Sequence, residues 1–463
     1  MAQRRVAGVI LAAGKGTRMK SELPKCAHPV CGLAMVEHIG RAMKALGVET
    51  PVLVVGHGAS QLQASLTDPN YLFEMQETQE GTGHAAKMAM RSLPDFEGPV
   101  LLTPGDTPLL NREGLAQVLE LFNQGGFAAV VATFTVPDAG NYGRIVRNAS
   151  GDFAKIVEAK DCNEEERKIG EVNSAVYCFD AARLRAILPR LDKNNAQEEY
   201  LLTDVLRFMV EDGDRVGIVE FPDESIFKGV NNRWELAEAG EILRRRLLRE
   251  HAMNGVTIVD PATTFIEPDV ELEPDCLIEP MTTLRGKTRI GAGSIIGPMS
   301  VIIDAEIGRE CWVRQSQVQA SKVADGVKVG PYAHIRPGST VGRGCKIGNF
   351  VELKNAQLGD KVAAGHLAYL GDATVGDGTN IGAGTITCNY DGYAKHRTTI
   401  GANTFVGTNS TLVAPLTIGD GAYIAAGSTI TKDIEADSLG IGRARTEEKP
   451  QWAARYKQRK GTP

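Results

Sequence analysis

The stretch that decides the architecture is KVADGVKVGPYAHIRPGSTVGRGCKIGNFVEL, residues 322–353. Val323, Val329, Ile335, Val341, Ile347 and Leu353 recur in it every six residues, and Ile400, Val406, Leu412, Ile418, Ile424 and Ile430 repeat the spacing further on. Glycine follows many of these aliphatics: Gly330, Gly342, Gly348, Gly401, Gly407 and Gly419. A period of six matches neither a helix nor an alternating strand. It matches a parallel β-helix of triangular cross-section, in which each hexapeptide makes one short strand and one corner and the aliphatic points inward. Between the two runs, Ile381 to Ile400 spans nineteen residues, one more than three hexads. The intervening TCNYDGYAKHRTT, residues 387–399, is polar and aromatic and reads as a loop extruded from a coil.

Upstream the pattern differs. Up to about residue 230, strand-like runs (Val6–Leu11, Val52–Val55, Val100–Leu102, Ala128–Phe134) alternate with helical patterns (Met35–Leu46, Gly114–Phe122). Such alternation implies a Rossmann-like α/β domain with a mostly parallel sheet, whose ligands bind at the carboxyl ends of the strands. Asn232–Met253 reads as one long polar helix. The expected organisation is therefore an α/β domain over residues 1–231, a linker helix over 232–253 and a β-helix domain with its tail over 254–463.

Net charge is −6 over 463 residues, which recommends neither nucleic acid nor an anionic membrane as a partner. The eight cysteines are scattered without a CxxC pair and read as reduced thiols of a cytoplasmic protein. No apolar stretch approaches the ~20 residues of a membrane helix. The opening MAQRRVAGVILAA mimics a secretory leader, but its apolar run is short and ends in Gly-Lys-Gly-Thr-Arg with no small-residue cleavage site, so the leader reading is set aside.

The loop in GVILAAGKGTRM, residues 8–19, has the glycines and cations of a phosphate cradle. Met19 stands where a dinucleotide fingerprint needs its third glycine, and Lys15 lies between Gly14 and Gly16, which breaks the P-loop pattern. With Leu23-Pro24-Lys25 after it, LAAGKGTRM resembles the signature of sugar-1-phosphate nucleotidyltransferases. Joined to hexapeptide repeats bearing GHLAYLGD and NIGAGTITCNYDG, the chain resembles, nearly end to end, a family of bifunctional bacterial enzymes. These are glucosamine-1-phosphate N-acetyltransferases and N-acetylglucosamine-1-phosphate uridylyltransferases, which make UDP-N-acetylglucosamine for peptidoglycan and lipopolysaccharide. The resemblance implies a left-handed β-helix and a homotrimer assembled through it. It also implies UTP and acetyl-CoA as substrates, Mg2+ as cofactor, and no nucleic-acid or membrane partner.

For uridylyl transfer the resemblance implies that Leu11, Ala12, Ala13 and Gly14 cradle the nucleotide, and that Arg18 and Lys25 offset triphosphate charge. It places Mg2+ on Asp106 and Asn231. Gln76, Gly81 and Thr82 match the uracil-reading segment, where an amide can pair with the imide edge. Gly143, Glu158 and Asn173 match positions around the N-acetylglucosamine moiety. Pro104 departs from the aromatic residue of some members.

For acetyl transfer it implies His366 as the base that takes a proton from the substrate amine, work suited to an imidazole. Arg336, Lys354, Tyr369 and Asn380 match sugar-phosphate contacts. Ala383, Asn389, Tyr390, Ala426 and Arg443 match acetyl-CoA contacts, with Thr408 where the family has serine. The basic tail with Trp452 either meets the CoA phosphates and adenine or is merely solvated. Two other readings stay open at this point: a related nucleotidyltransferase for another sugar or for dTTP, and an assembly protein that has lost catalysis. The second is opposed by Arg18, Lys25, Asp106 and His366 all being present.

Overall fold

The computed structural model describes residues 5–461. The leader-like stretch begins in residues 1–4, which lie outside the described residues. Its apolar part, Ala7–Leu11, is a strand at the heart of a sheet. By its contacts the chain divides into two compact units that meet in sequence between Arg245 and Arg246.

In the first unit the strand order is Val216–Phe221, Ala129–Thr135, Glu171–Asp180, Pro99–Pro104, Ala7–Leu11, Val52–Val55, Leu72–Met75. All pairs along this path are parallel except those made by Glu171–Asp180, which also carries the antiparallel hairpin Arg144–Arg147 and Phe153–Val157. Successive residues feed opposite cores, as an alternating strand requires. Ile10, Leu53, Leu101 and Val130 pack on one face, and Val9, Val54, Leu102 and Val131 on the other. The chain leaves Ala7–Leu11 for a neighbour on one side (Val52–Val55) and later for a neighbour on the other (Pro99–Pro104). The crevice beyond the carboxyl ends of these strands is thus a topological switch point. The long helix is Arg233–Met253. Its Leu236, Ile242 and Leu243 pack with Val30, Met35 and Leu109, while Leu248 is part of the core of the second unit.

The second unit is a parallel β-helix. One face is a ladder of nine strands, and the other two faces run into each other around a shared corner. All twelve aliphatics of the two six-residue runs are buried. The repeat also begins earlier than those runs: Ile266, Leu272, Ile278, Leu284, Ile290, Ile296 and Ile302 keep the same spacing and are buried or packed on the core. It then tightens, with Val313 pairing Val329 and Ile347 pairing Ala364, so that coils of sixteen or seventeen residues replace those of eighteen. The extruded loop is narrower than residues 387–399. Thr387 and Thr398 are buried strand residues, because Thr387 supplies the inward side chain of its coil. What leaves the coil is the segment 389–397, where Tyr393 is 97% exposed.

Among the described residues no helix is long and apolar enough to cross a membrane, and none of the cysteines is joined in a disulfide.

Candidate functional sites

In the first unit a cavity of about 540 Å3 opens beyond the carboxyl ends of Ala7–Leu11 and Pro99–Pro104. Its wall brings together Leu11, Ala12, Ala13, Gly14, Lys25, Gln76, Gly81, Thr82, Asp106, Gly143, Glu158 and Asn173. The loop after Ala7–Leu11 turns at Gly16 with φ 59°, where a Cβ would stand 2.5 Å from Lys25 Cβ, so only glycine lets the two segments close. A Cβ at Gly14, in contrast, would meet nothing within 4 Å. The missing side chain there leaves room over the loop backbone rather than relieving a clash. Met19, where a dinucleotide loop would need glycine, is a buried core residue.

Arg18 and Asn231 stand outside the cavity wall and join it through Lys25. The Lys25 ammonium bonds Asp106 and lies 3.2 Å from Asn231 Oδ1, which also accepts from Arg18 Nη2 at 2.8 Å. Asn231 is held by the start of the long helix. Asn232 caps it by accepting from the Glu235 N–H at 3.0 Å, and the Glu235 carboxylate reaches back to the Asn231 N–H at 2.6 Å. This resembles a capping box displaced by one residue, with the carboxylate taking the N–H before the cap instead of the cap's own. Val230 N–H donates to the Asp106 carbonyl at 2.9 Å, which ties the strand-end loop to the same segment. Two oxygen donors, Asp106 and Asn231, therefore converge on one positively charged point, occupied by the lysine ammonium. That donor set suits a hard cation which takes its remaining ligands from phosphate. Cys26, beside them, is buried, and burial with the Asp106 charge pushes its thiol up to about 12, so it is an inert wall group.

Gln76 is buried, and its amide nitrogen donates to the Gly81 carbonyl at 3.1 Å. With the amide so assigned, Oε1 is free to accept an N–H from a base. Thr82 Oγ1 accepts from Leu202 N–H at 3.0 Å, fixing the start of the helix Thr82–Ala89. Gly143, Glu158 and Asn173 are neighbours: a Cβ on Gly143 would lie 3.6 Å from Glu158 Oε2 and 3.7 Å from Asn173 Cβ. Burial raises the Glu158 carboxyl above its ordinary value, opposed by a hydrogen bond from Thr203 Oγ1 at 3.1 Å. Gln79, Tyr142, Tyr177 and Thr203 share the cavity and escaped the sequence reading, since no local spacing marks them. Gln79 clamps the Ala13 carbonyl, and Tyr177 accepts from Asn173 Nδ2 at 2.8 Å.

In the second unit His366 is exposed at a corner, between inward Ala364 and Ala368, and not at a core position of the coil. The corner is one column. Leu367 C=O accepts from Gly384 N–H, Ala383 C=O from Asn409 N–H, and Thr408 C=O from Gly427 N–H. His366, Ala383, Thr408 and Ala426 therefore stack on successive coils, and Arg443 Nη1 donates to the Ala426 carbonyl at 2.6 Å. His366 Nδ1 meets Asn349 Oδ1 at 2.5 Å. With the amide oxygen assigned to this contact, it accepts, which puts the proton on Nδ1 and leaves Nε2 as the nitrogen able to take a proton.

Tyr369 lies on the face that follows this corner and pairs Glu352, whereas Asn380 lies on the face that precedes it and pairs Ala363. Arg336 is held by Glu352 at 2.8 Å. Lys354 sits at the far edge of the Tyr369 face with Lys395 of the extruded loop beside it, and Lys395 depresses its pKa by hydrogen bond and like charge. Lys395 is a cation the sequence reading missed, because only folding of the loop carries it there. Asn389, also on that loop, is buried at its base, and Tyr390 is exposed. The tail helix Trp452–Lys460 has no buried residue.

Among known proteins, the family of MobA-like NTP transferase domains matches residues 8–200, and the bacterial transferase hexapeptide family matches residues 320–355 and 397–432. A Streptococcus pyogenes protein named bifunctional protein GlmU is 48% identical over 96% of this chain and 97% of its own length. Proteins of the same name from Brevibacillus brevis (45% identical, 97% of each chain) and Streptococcus mutans (46%, 96% and 97%) align equally far. Sustained at that level along nearly the whole of both sequences, the similarity makes the chain a member of the bifunctional GlmU family, with the hexapeptide repeats wound as a left-handed β-helix.

Proposed function

We propose that the chain catalyses two successive steps of UDP-N-acetylglucosamine synthesis: acetyl transfer from acetyl-CoA to glucosamine-1-phosphate, then uridylyl transfer from UTP to N-acetylglucosamine-1-phosphate with release of pyrophosphate. The observation that carries this is the presence, in one chain, of an imidazole with a free Nε2 at a β-helix corner and of a glycine loop whose lysine faces two oxygen donors.

In the first step His366 Nε2 takes a proton from the substrate ammonium, and the free amine attacks the thioester carbonyl. The C–S bond breaks, the amide nitrogen sheds its second proton, and the CoA thiolate leaves and takes that proton up. Arg336, Lys354 and Lys395 hold the phosphate dianion, whose two charges call for more than one cation. Ala383, Thr408, Ala426 and Arg443 line the acyl donor along the corner, and Asn389 and Tyr390 meet it from the loop.

In the second step a phosphate oxygen of the sugar attacks the α-phosphorus of UTP, and pyrophosphate leaves in line. Positioning and charge neutralisation do most of such work. The Ala12–Gly14 backbone cradles the triphosphate while Arg18 and Lys25 offset its charge. Gln76 accepts the uracil N–H, and Gly143, Glu158 and Asn173 seat the acetamido sugar. Asp106 and Asn231 would hold Mg2+, which would supply charge neutralisation at the phosphates.

The working unit is a homotrimer joined through the β-helix. Tyr369 and Asn380 face outward on different sides of the His366 corner, so a sugar bound against one of these faces meets the other residue only as supplied by a second copy. Exposed Tyr332, Phe350 and Leu367 on that corner, the first two stacked at 5.6 Å, give such a copy an apolar ridge. Eight cysteines without a disulfide suit a reducing, cytoplasmic setting.

The test is product analysis by mass spectrometry after mixing the protein with acetyl-CoA, glucosamine-1-phosphate, UTP and Mg2+. UDP-N-acetylglucosamine should form, and N-acetylglucosamine-1-phosphate should accumulate when UTP is left out. If the sugar phosphate is never acetylated, the β-helix is not an acetyltransferase and the role of His366 falls. Sedimentation of a catalytically active monomer would remove the trimer.

A further inference from the structure

Asp372 follows the strand Ala363–Gly371 at a left-handed φ of 48° and ties both the entrance and the exit of the extruded loop. Its Oδ2 accepts from Asn389 Nδ2 at the loop entrance, and its backbone carbonyl accepts from Thr398 N–H at the exit, at 3.2 Å. Below, Oδ1 accepts from Asn355 Nδ2 at 2.7 Å, and the Asp372 N–H donates to the Lys354 carbonyl at 2.9 Å. Asn355, Asp372 and Asn389 thus form a ladder through three coils.

The loop above this ladder is braced internally. Asp391 Oδ1 accepts from the N–H groups of Tyr393 and Ala394 at 2.8 and 2.7 Å, and its Oδ2 meets His396 Nε2 at 2.7 Å. His396 N–H donates to the Asn389 carbonyl at 2.8 Å. Braced in this way, the loop carries Lys395 and Tyr390 on one frame, which Asp372 anchors at both ends beside the tie of Arg397 to Thr374.

We propose that Asp372 is the positioning residue of the acetyltransferase site: its carboxylate seats the loop that meets the acyl donor and at the same time keeps Lys354 and Lys395 together as a phosphate-binding pair. This rests on the acetyltransferase reading of the His366 corner and goes beyond it, because Asp372 needs no contact with either substrate. Two ammonium groups repel, and the carboxylate is the nearby opposite charge that offsets the repulsion. The charges around the pair are Lys354, Lys395, Arg336 (already bonded to Glu352) and Asp372. Burial raises the Asp372 carboxyl, but the hydrogen bonds of Asn355 and Asn389 and the two lysine charges outweigh it, and the group is held below its ordinary value. Lys354 is held down by Lys395 first, with Asp372 opposing.

The test is Asp372→Asn in the full chain, with uridylyl transfer by the same preparation as the control for folding. The amide keeps the size and removes the charge. KM should rise about tenfold for both glucosamine-1-phosphate and acetyl-CoA, and the alkaline limb of kcat/KM for the sugar phosphate should move about one unit to lower pH, as expected on loss of an adjacent opposite charge. Unchanged KM values, or a profile lowered uniformly without a shift, would overturn the proposal, since a merely structural role predicts the latter. Should the variant lose uridylyl transfer as well, Asn355→Ala loosens the carboxylate from below without touching the loop, and a smaller shift of the same sign is required of it. Lys354→Ala separates the two levels. If it leaves acetyl transfer intact, the site reading itself fails; if it abolishes transfer while Asp372→Asn behaves as wild type, only the role of Asp372 falls.

Discussion

Asn349 and His366, in register on adjoining coils, meet at 2.5 Å through Oδ1 and Nδ1. The contact sets the tautomer of the imidazole and turns Nε2 outward. Asn349→Ala should lower kcat for acetyl transfer about tenfold or more, and His366→Ala by about 10²–10⁴, the span of general-base catalysis. Uridylyl transfer by both variants should stay at the wild-type rate, as read by pyrophosphate release.

Lys25, Asp106 and Asn231 share one charge centre. Asp106→Ala should therefore cost uridylyl transfer at least about 10²-fold, the scale of removing a group aimed at developing charge. Acetyl transfer, followed by the acetylated sugar phosphate, should not change. Chelation of divalent cations by EDTA should split the activities the same way.

Glu158 pays a stability cost for its place in the cavity. Its pKa is raised on folding by burial, so between the ordinary carboxyl value and the raised one the folded state holds more proton than the unfolded state. Stability contributed by the protonated group is present below that window and is lost as pH rises through it. Glu158→Gln should thus raise the Tm of the first unit at pH 7 and change it little at pH 4, by about 2–4 °C for each kcal/mol relieved. The same change should weaken N-acetylglucosamine-1-phosphate binding, seen as a higher KM.

Gly348 lies beside the His366 corner, where an added Cβ would fall 1.8 Å from the Gly365 carbonyl oxygen. Gly348→Ala must spread the two coils, shifting Asn349 against His366. Acetyl transfer should drop at least about tenfold, as misplaced reacting groups imply, while uridylyl transfer is kept.

The architecture was legible wherever one period ran unbroken. Val323–Leu353 and Ile400–Ile430 announce the β-helix because every inward position is aliphatic and six residues on. Thr387 hid the last coil before the loop, since an inward threonine bonded to Gly371 carbonyl at 3.0 Å does not look like core. Coils of sixteen and seventeen residues, as between Val313 and Val329, hid the middle of the repeat. The candidate residues were legible by resemblance, but their supports were not. Asn349, Asp372, Lys395, Gln79 and Thr203 reach their partners through pairing of coils or loop closure, and no spacing along the chain encodes that.

The placement of Tyr369 and Asn380 on separate faces of the prism has a consequence for how the two activities respond to dilution. A pocket contained in one chain turns over in proportion to the amount of enzyme. On the trimer proposal the acetyltransferase pocket is finished by a neighbour and obeys mass action: below the dissociation constant of the assembly its output falls faster than linearly with enzyme concentration. Serial dilution of one preparation should therefore leave uridylyl transfer per mole constant while acetyl transfer per mole declines. A cell that makes too little of the protein would then lose the first step of its pathway before the second.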